Sequence, residues 1–213
     1  INPTIATAAL NHATISGWQV FLNTALALLI LNIPTSTATS IQYVYNTKSK
    51  GWSSFSGWNA ANFVQFNGQT YFTTGTKVAQ AFNGTSDFGG NIDAICATSY
   101  NRFRTHLQLQ PLMMRALYAS TADVAYTIGL SKDFENNYVK SRYAVSGSSG
   151  GLWDSGLWDI AVWGGSFTMH KDWVTVASAG AIALSTSFEV SSKTATTLLA
   201  AIDYKFGEQG LIS

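Results

Sequence analysis

Apolar positions in this chain come in short runs broken by Gly, Asn, Ser and Thr, and between 17 and 82 the pattern reads strand, turn, strand. Trp18–Leu22 forms one short strand, and Ala25–Ile33 a buried apolar one closed by Pro34. Ile41–Tyr45 sets Ile and two Tyr against Gln and Val, and NTKSKG at 46–51 turns the chain into Trp52–Phe55. Phe63–Phe66 and Thr70–Thr73 flank Asn67-Gly68. That dipeptide suits the primed turns whose twist matches a hairpin. Lys77–Phe82 follows, before Asn83-Gly84, and Ala6–Leu10 is weakly helical.

After Gly89-Gly90 the texture changes to longer strands over Ile92–Phe103, His106–Tyr118 and Val124–Phe134. A helix over Leu109–Ala119 competes with the second, because Leu, Met, Arg and Ala are good helix formers. SGSSGG at 146–151 reads as a flexible loop. Gly151–Trp173 then brings Trp153, Trp158, Trp163 and Trp173 among Gly151, Gly156, Gly164 and Gly165, each of which would cost a helix about 1 kcal/mol. Short strands and tight corners packing indole faces fit better. The tail returns to strands over Trp173–Ala177, Ala181–Val190 and Ala200–Phe206. The expectation is an all-β chain, with partial propeller-like blades over 1–90 followed by a β-sandwich-like domain over 91–213.

Composition narrows the function. Charged residues are 11% of the chain, against roughly 25% in an average soluble protein. Ser, Thr, Asn and Gln take their place, so the surface is polar without being ionic. With 13% aromatic residues and a net charge of +1, the chain does not have the composition of a disordered segment. A charge so near zero favours association. No Lys/Arg stripe is present to neutralise phosphates, which argues against nucleic-acid binding by charge. The single cysteine, Cys96, has no internal disulfide partner and reads as a small buried hydrophobe in the run Ile92–Ala97. Ala25–Ile33 is too short to span a bilayer, and no basic leader precedes a signal-type segment. The start at Ile1 implies processing or a piece of a longer polypeptide.

Candidate chemistry is sparse. Gly147-Ser148-Ser149-Gly150-Gly151 matches G-x-S-x-G, with Ser149 as nucleophile and Asp154 and His170 following in order. A nucleophile elbow needs a strand, a strained turn and a helix, whereas here a Ser/Gly loop precedes a Trp/Gly stretch. The pairs Trp153-Asp154 and Trp158-Asp159 are spaced too closely for propeller repeats of about 40 residues, so the aspartates read as turn caps. Asp154-Ser155-Gly156 lacks the acidic ligand set that calcium wants. His12, His106 and His170 have no partner at ligand spacing and read as surface or interface residues. Asp133 and Glu135, two apart on a strand-like run, would share a face but read as solvated carboxylates. Asn83-Gly84-Thr85 is a glycosylation sequon without other signs of secretion. Trp153, Trp158 and Trp163 serve a core or subunit interface, or alternatively stack on sugar rings as platforms of a carbohydrate-binding module or receptor-binding adhesin. The expectation is a protein that is not an enzyme, with no catalytic residue, cofactor or metal.

Six segments in order, GWQVFL (17–22), LLILNIP (28–34), QYVYNTKSKGWSSFSGWNA (42–60), YFTTGTKVAQAFNGTSDFGGNI (71–92), WDSGLWDIAVWG (153–164) and AIDYKFGEQG (201–210), together resemble the C-terminal part of large tail proteins of short-tailed bacteriophages, of the tubular hub or nozzle type. The chain departs from that pattern at Tyr71-Phe72-Thr73, where a Gly-rich strand is usual, and at Phe88, where Asn is more frequent. The resemblance implies a virion structural protein, placed in the tail and assembled in the bacterial host cytoplasm. It also implies a ring of identical copies, commonly hexameric, in contact with other tail or adaptor proteins. DNA would pass through the lumen without sequence-specific binding, and no segment would be integral to a membrane.

Overall fold

The computed structural model describes residues 3–103, 109–144, 167–176 and 180–207. The described chain is all-β apart from one short helix, and its strands pair antiparallel throughout. It divides into two compact units, 1–84 and 85–213.

The first unit opens with α1 (Pro3–Asn11) and continues as two meanders. β1 (Gln19–Asn23), β2 (Leu28–Pro34), β3 (Ser40–Asn46) and β4 (Trp52–Phe55) lie side by side in chain order, followed by β5 (Asn62–Phe66), β6 (Gln69–Thr74) and β7 (Lys77–Gln80). The expected hairpin is present, with Phe63 opposite Phe72 and Asn67 and Gly68 both at positive φ, as a type I′ turn demands. The turn after β3 is held by Asn46 Oδ1, which accepts the N–H groups of Lys48 and Ser49. Ile30 and Val44 of the first meander pack on Phe63, Phe72 and Ala79 of the second. Trp58, between β4 and β5, stacks on Phe72 at 5.1 Å and meets Phe55 and Phe82 edge-on. Next to it, buried Gln42 donates to Asn32 Oδ1 and to the Trp58 carbonyl, while Asn32 donates to the Ala60 carbonyl. That polar layer fixes the loop against the sheet. On the other face, Ile33 and Tyr43 are covered by Ile5 and Ala8 of α1.

The second unit sets two sheets face to face. One has the order β11 (Val139–Tyr143), β10 (Tyr126–Lys132), β14 (Leu184–Ser192), β8 (Ile92–Ala97). In the other, β9 (Gln110–Ser120) is central, with β12 (Thr168–His170) and β13 (Val174–Thr175) on one side and β15 (Thr197–Gly207) on the other. Met114, Ala116 and Tyr118 of β9 meet Ile128, Leu130 and Phe188 of the facing sheet in one core.

β9 decides the ambiguity over Leu109–Ala119 in favour of a strand. Met114, Ala116, Tyr118 and Ser120 are buried and their neighbours less so, the period of two that a strand in a layered core requires. Pairing on both sides outweighs a local preference worth tenths of a kcal/mol per residue. Two other expectations are corrected. The strand from Ile92 stops at Ala97, and all six of its residues are exposed, so Cys96 is not a buried hydrophobe. Asp133 and Glu135 are not on a strand; they lie in the turn after β10, where Asp133, Phe134 and Asn136 have positive φ. β11 was not expected from the sequence pattern, and β12 is one short strand within the stretch Gly151–Trp173.

Candidate functional site

Among the described residues of the second unit, three clusters bring titratable side chains together, and each is accounted for by its contacts. The first is built around His170, which β12 brings opposite Tyr118 of β9. His170 is buried, stacks on Tyr118 at 4.6 Å, and has Nε2 at 2.8 Å from Ser120 Oγ. Ser120 is fully buried and its hydroxyl donates to the Ala122 carbonyl at 2.7 Å. The serine proton is thereby committed, so Nε2–H of His170 is the donor to Ser120 Oγ. A nucleophilic serine needs the opposite polarity, with the imidazole accepting its proton. The Ser–His contact is therefore a structural tie between two strands. Ser149 and Asp154, the other members of the hydrolase-like pattern, lie outside the described residues.

Three tyrosines in and against this core are held neutral. Burial pushes the Tyr118 hydroxyl well above its ordinary range, aided by Tyr126 and by the negative charges of Asp172 and Asp123. Tyr126 is raised by burial, then by Asp172 and Tyr143. Tyr204 on β15 is raised by burial, against hydrogen bonds to Thr186 and Thr98 that favour its ionised form.

The second cluster is on β9 and β15. Arg115 donates through Nε and a terminal nitrogen to Asp203 Oδ2, both at 2.8 Å, and its guanidinium lies 4.6 Å over the Trp173 ring. One indole face of Trp173 is thus already used. The third cluster is the turn after β10, where Asp133 Oδ1 accepts the N–H groups of Ile182 and Ala183 at 2.8 and 3.1 Å. That carboxylate anchors a loop, and Glu135 is exposed.

His12 lines a shallow open hollow of about 500 Å³ beside α1, with Thr7, Asn11 and Tyr43. His106 lies outside the described residues, as do Asp159 and the three platform candidates Trp153, Trp158 and Trp163. Among the described residues no group of three His, Cys, Asp or Glu is placed to hold a metal ion, and no helix is long and apolar enough to cross a membrane.

A different property is spread over both units. Strand positions that point outward carry large apolar side chains where a solvated sheet face would carry polar ones. Val20 and Leu22 do so on β1, Val64 and Phe66 on β5, and Val78 on β7, with Phe66 71% and Val78 70% exposed. In the second unit Ile95 of β8 is 71% exposed. The sequence shows the apolar residues, but period-two alternation alone does not reveal that both sides of a strand are apolar and only one is covered.

Models of known protein families and curated proteins were both compared with the chain, and none matches.

Proposed function

We propose that this chain is an assembly protein: a ring-forming subunit of a short bacteriophage tail, of the nozzle or hub type, contributing to the conduit through which the genome leaves. The observation that carries the reading is the conjunction of scarce charge, 11% of residues, with large apolar side chains on outward-facing strand positions of both units. Such a surface is costly to leave in water and is normal for surfaces buried between subunits. A conduit wall poor in Lys and Arg also suits passing DNA, which dense phosphate contacts would hold. Heterologous interfaces that close into a ring bury one such surface per neighbour. The resemblance of the GWNA, SDFGGNI and WD…WD segments to tail hub and nozzle proteins supports the same reading, as do the two successive meanders of the first unit, which suit propeller-like blades.

In this reading the partners are further copies of the chain and other tail or adaptor proteins, and the place of action is the virion tail after assembly in the host cytoplasm. No catalytic step is assigned to the chain. Negative-stain electron microscopy of the full-length protein, alone and with tail extract, tests it. Closed rings with a central hole are the expected result. Monomers under every condition, with tryptophan fluorescence that responds to host glycans, would replace the conduit subunit by a glycan-binding adhesin.

A further inference from the structure

The two edges of the sheet β11-β10-β14-β8 differ in kind. Among the described residues β8 pairs with β14 alone, and β11 with β10 alone. β8 reads Ile-Asp-Ala-Ile-Cys-Ala and is exposed along its whole length, with none of the lysines, prolines or bulges that usually protect an edge. Thr98 N–H donates to the Thr186 carbonyl, so the alternation of an antiparallel ladder turns the N–H and C=O groups of Asp93, Ile95 and Ala97 to the open side. β11, Val-Lys-Ser-Arg-Tyr, carries Lys140 and Arg142 instead, and Val139 is 66% exposed.

We propose that β8 of one copy pairs antiparallel with β11 of the next copy, head to tail, so that this sheet continues from subunit to subunit. Three features of the edges fit one another. The first is direction. Four strands in strict antiparallel order leave β8 and β11 running opposite ways, so a neighbour set alongside presents its β11 antiparallel to β8. The second is facing. Asp93, Ile95 and Ala97 pair with Ser191, Glu189 and Ser187, on the sheet face away from Phe188; Arg142 and Lys140 pair with Thr127 and Gly129, on that same face.

The third is charge. The register that overlaps all of β11 places Asp93 opposite Arg142 and Ile95 opposite Lys140. On the core-side face it sets Cys96 opposite Val139 and Ile92 opposite Tyr143. Neither Asp93 nor Arg142 has an ion-pair partner among the described residues. Pairing β11 with a second β11 would instead crowd Lys140 and Arg142 against their own copies, which is unfavourable. The head-to-tail arrangement fills both edges of every copy without bringing those cations together. It rests on the ring reading above and names the interface.

Two experiments on the full-length protein test it. The sequence has one cysteine, so Val139→Cys adds a single thiol. In the expected register that thiol and Cys96 form a non-hydrogen-bonded pair about 4.5 Å apart at Cα, within disulfide range. Mild oxidation should give a covalent ladder running past the dimer on a non-reducing gel, lost when Cys96→Ser is added. Cross-linking that stops at dimers through Cys96 alone overturns the proposal in favour of a β8–β8 contact. Rings in the micrographs without a ladder overturn the strand pairing and leave the ring reading standing; neither rings nor ladder overturns both. Second, Asp93→Arg should weaken assembly at least about tenfold, and Arg142→Asp in the same chain should restore it. A charge swap that fails to restore assembly counts against the register.

Discussion

Gly129 shows how closely the second unit is fitted. A Cβ at this position would lie 2.5 Å from Ser187 Oγ, 3.0 Å from Lys140 Cγ and 3.2 Å from Tyr138 Cβ. The bare backbone lets Lys140 cross β10 to Glu189, and lets Tyr138 reach Ser185 Oγ. Gly129→Ala is expected to destabilise the second unit by about 1–3 kcal/mol, read as a lower urea midpoint at unchanged slope. In the first unit the comparable residue is Trp58, whose ring touches Phe55, Phe63, Phe72 and Phe82. Trp58→Ala should cost about 3–5 kcal/mol, visible in the unfolding of that unit. Asn67-Gly68 was legible from sequence because the φ it needs is a property of the dipeptide. The exposure of Cys96 and the burial of His170 were not, because each depends on whether a second layer lies over the strand.

At the scale of elements, strands joined to their chain neighbours by tight turns were readable almost to the residue: β4 over Trp52–Phe55 and the β5–β6 hairpin both stand where alternation and turn residues put them. β11 escaped because Val-Lys-Ser-Arg-Tyr carries too few apolar residues to announce a strand; pairing with β10, just before it in the chain, makes it one. The turn after β10 was misread for a related reason. Asp133 looked like half of a carboxylate pair on a strand, whereas its oxygen ties Ile182 and Ala183 to that turn while its backbone adopts a positive φ. Asp133→Ala should therefore cost about 1–2 kcal/mol, and Asp133→Asn, which keeps the acceptor and tolerates the φ, much less. Thermal melts of the two variants side by side would separate an anchor from a solvated charge, for which both changes would be silent.

The whole molecule responds to alkali through its buried hydroxyls. Folding holds Tyr118, Tyr126 and Tyr204 above the ordinary tyrosine value of 10.0, at which the unfolded chain ionises. From that pH upward the unfolded state has lost protons that the folded state retains. Stability is therefore complete below about pH 10 and falls as pH rises beyond it. Tyrosinate absorbance and circular dichroism should change together in that window; ionisation of these tyrosines while the β signal stays intact would contradict their burial. The all-β class was legible at this scale from turn spacing and Gly content. The edge positions of β8 and β11 among the described residues were not, because an edge is set by which strands pair.

The pairing map also sets a timetable for biosynthesis. In the first unit each strand of a meander joins the one made just before it, so both meanders can close soon after they leave the ribosome. In the second unit β8 waits for β14, and β9 waits for β15 near the far end of the chain. Closing such long loops is slow. Until the last strands emerge, Met113, Met114, Leu117 and Tyr118 have no lasting shelter, and the nascent second unit is the stage at which this protein is most open to capture by chaperones or to aggregation.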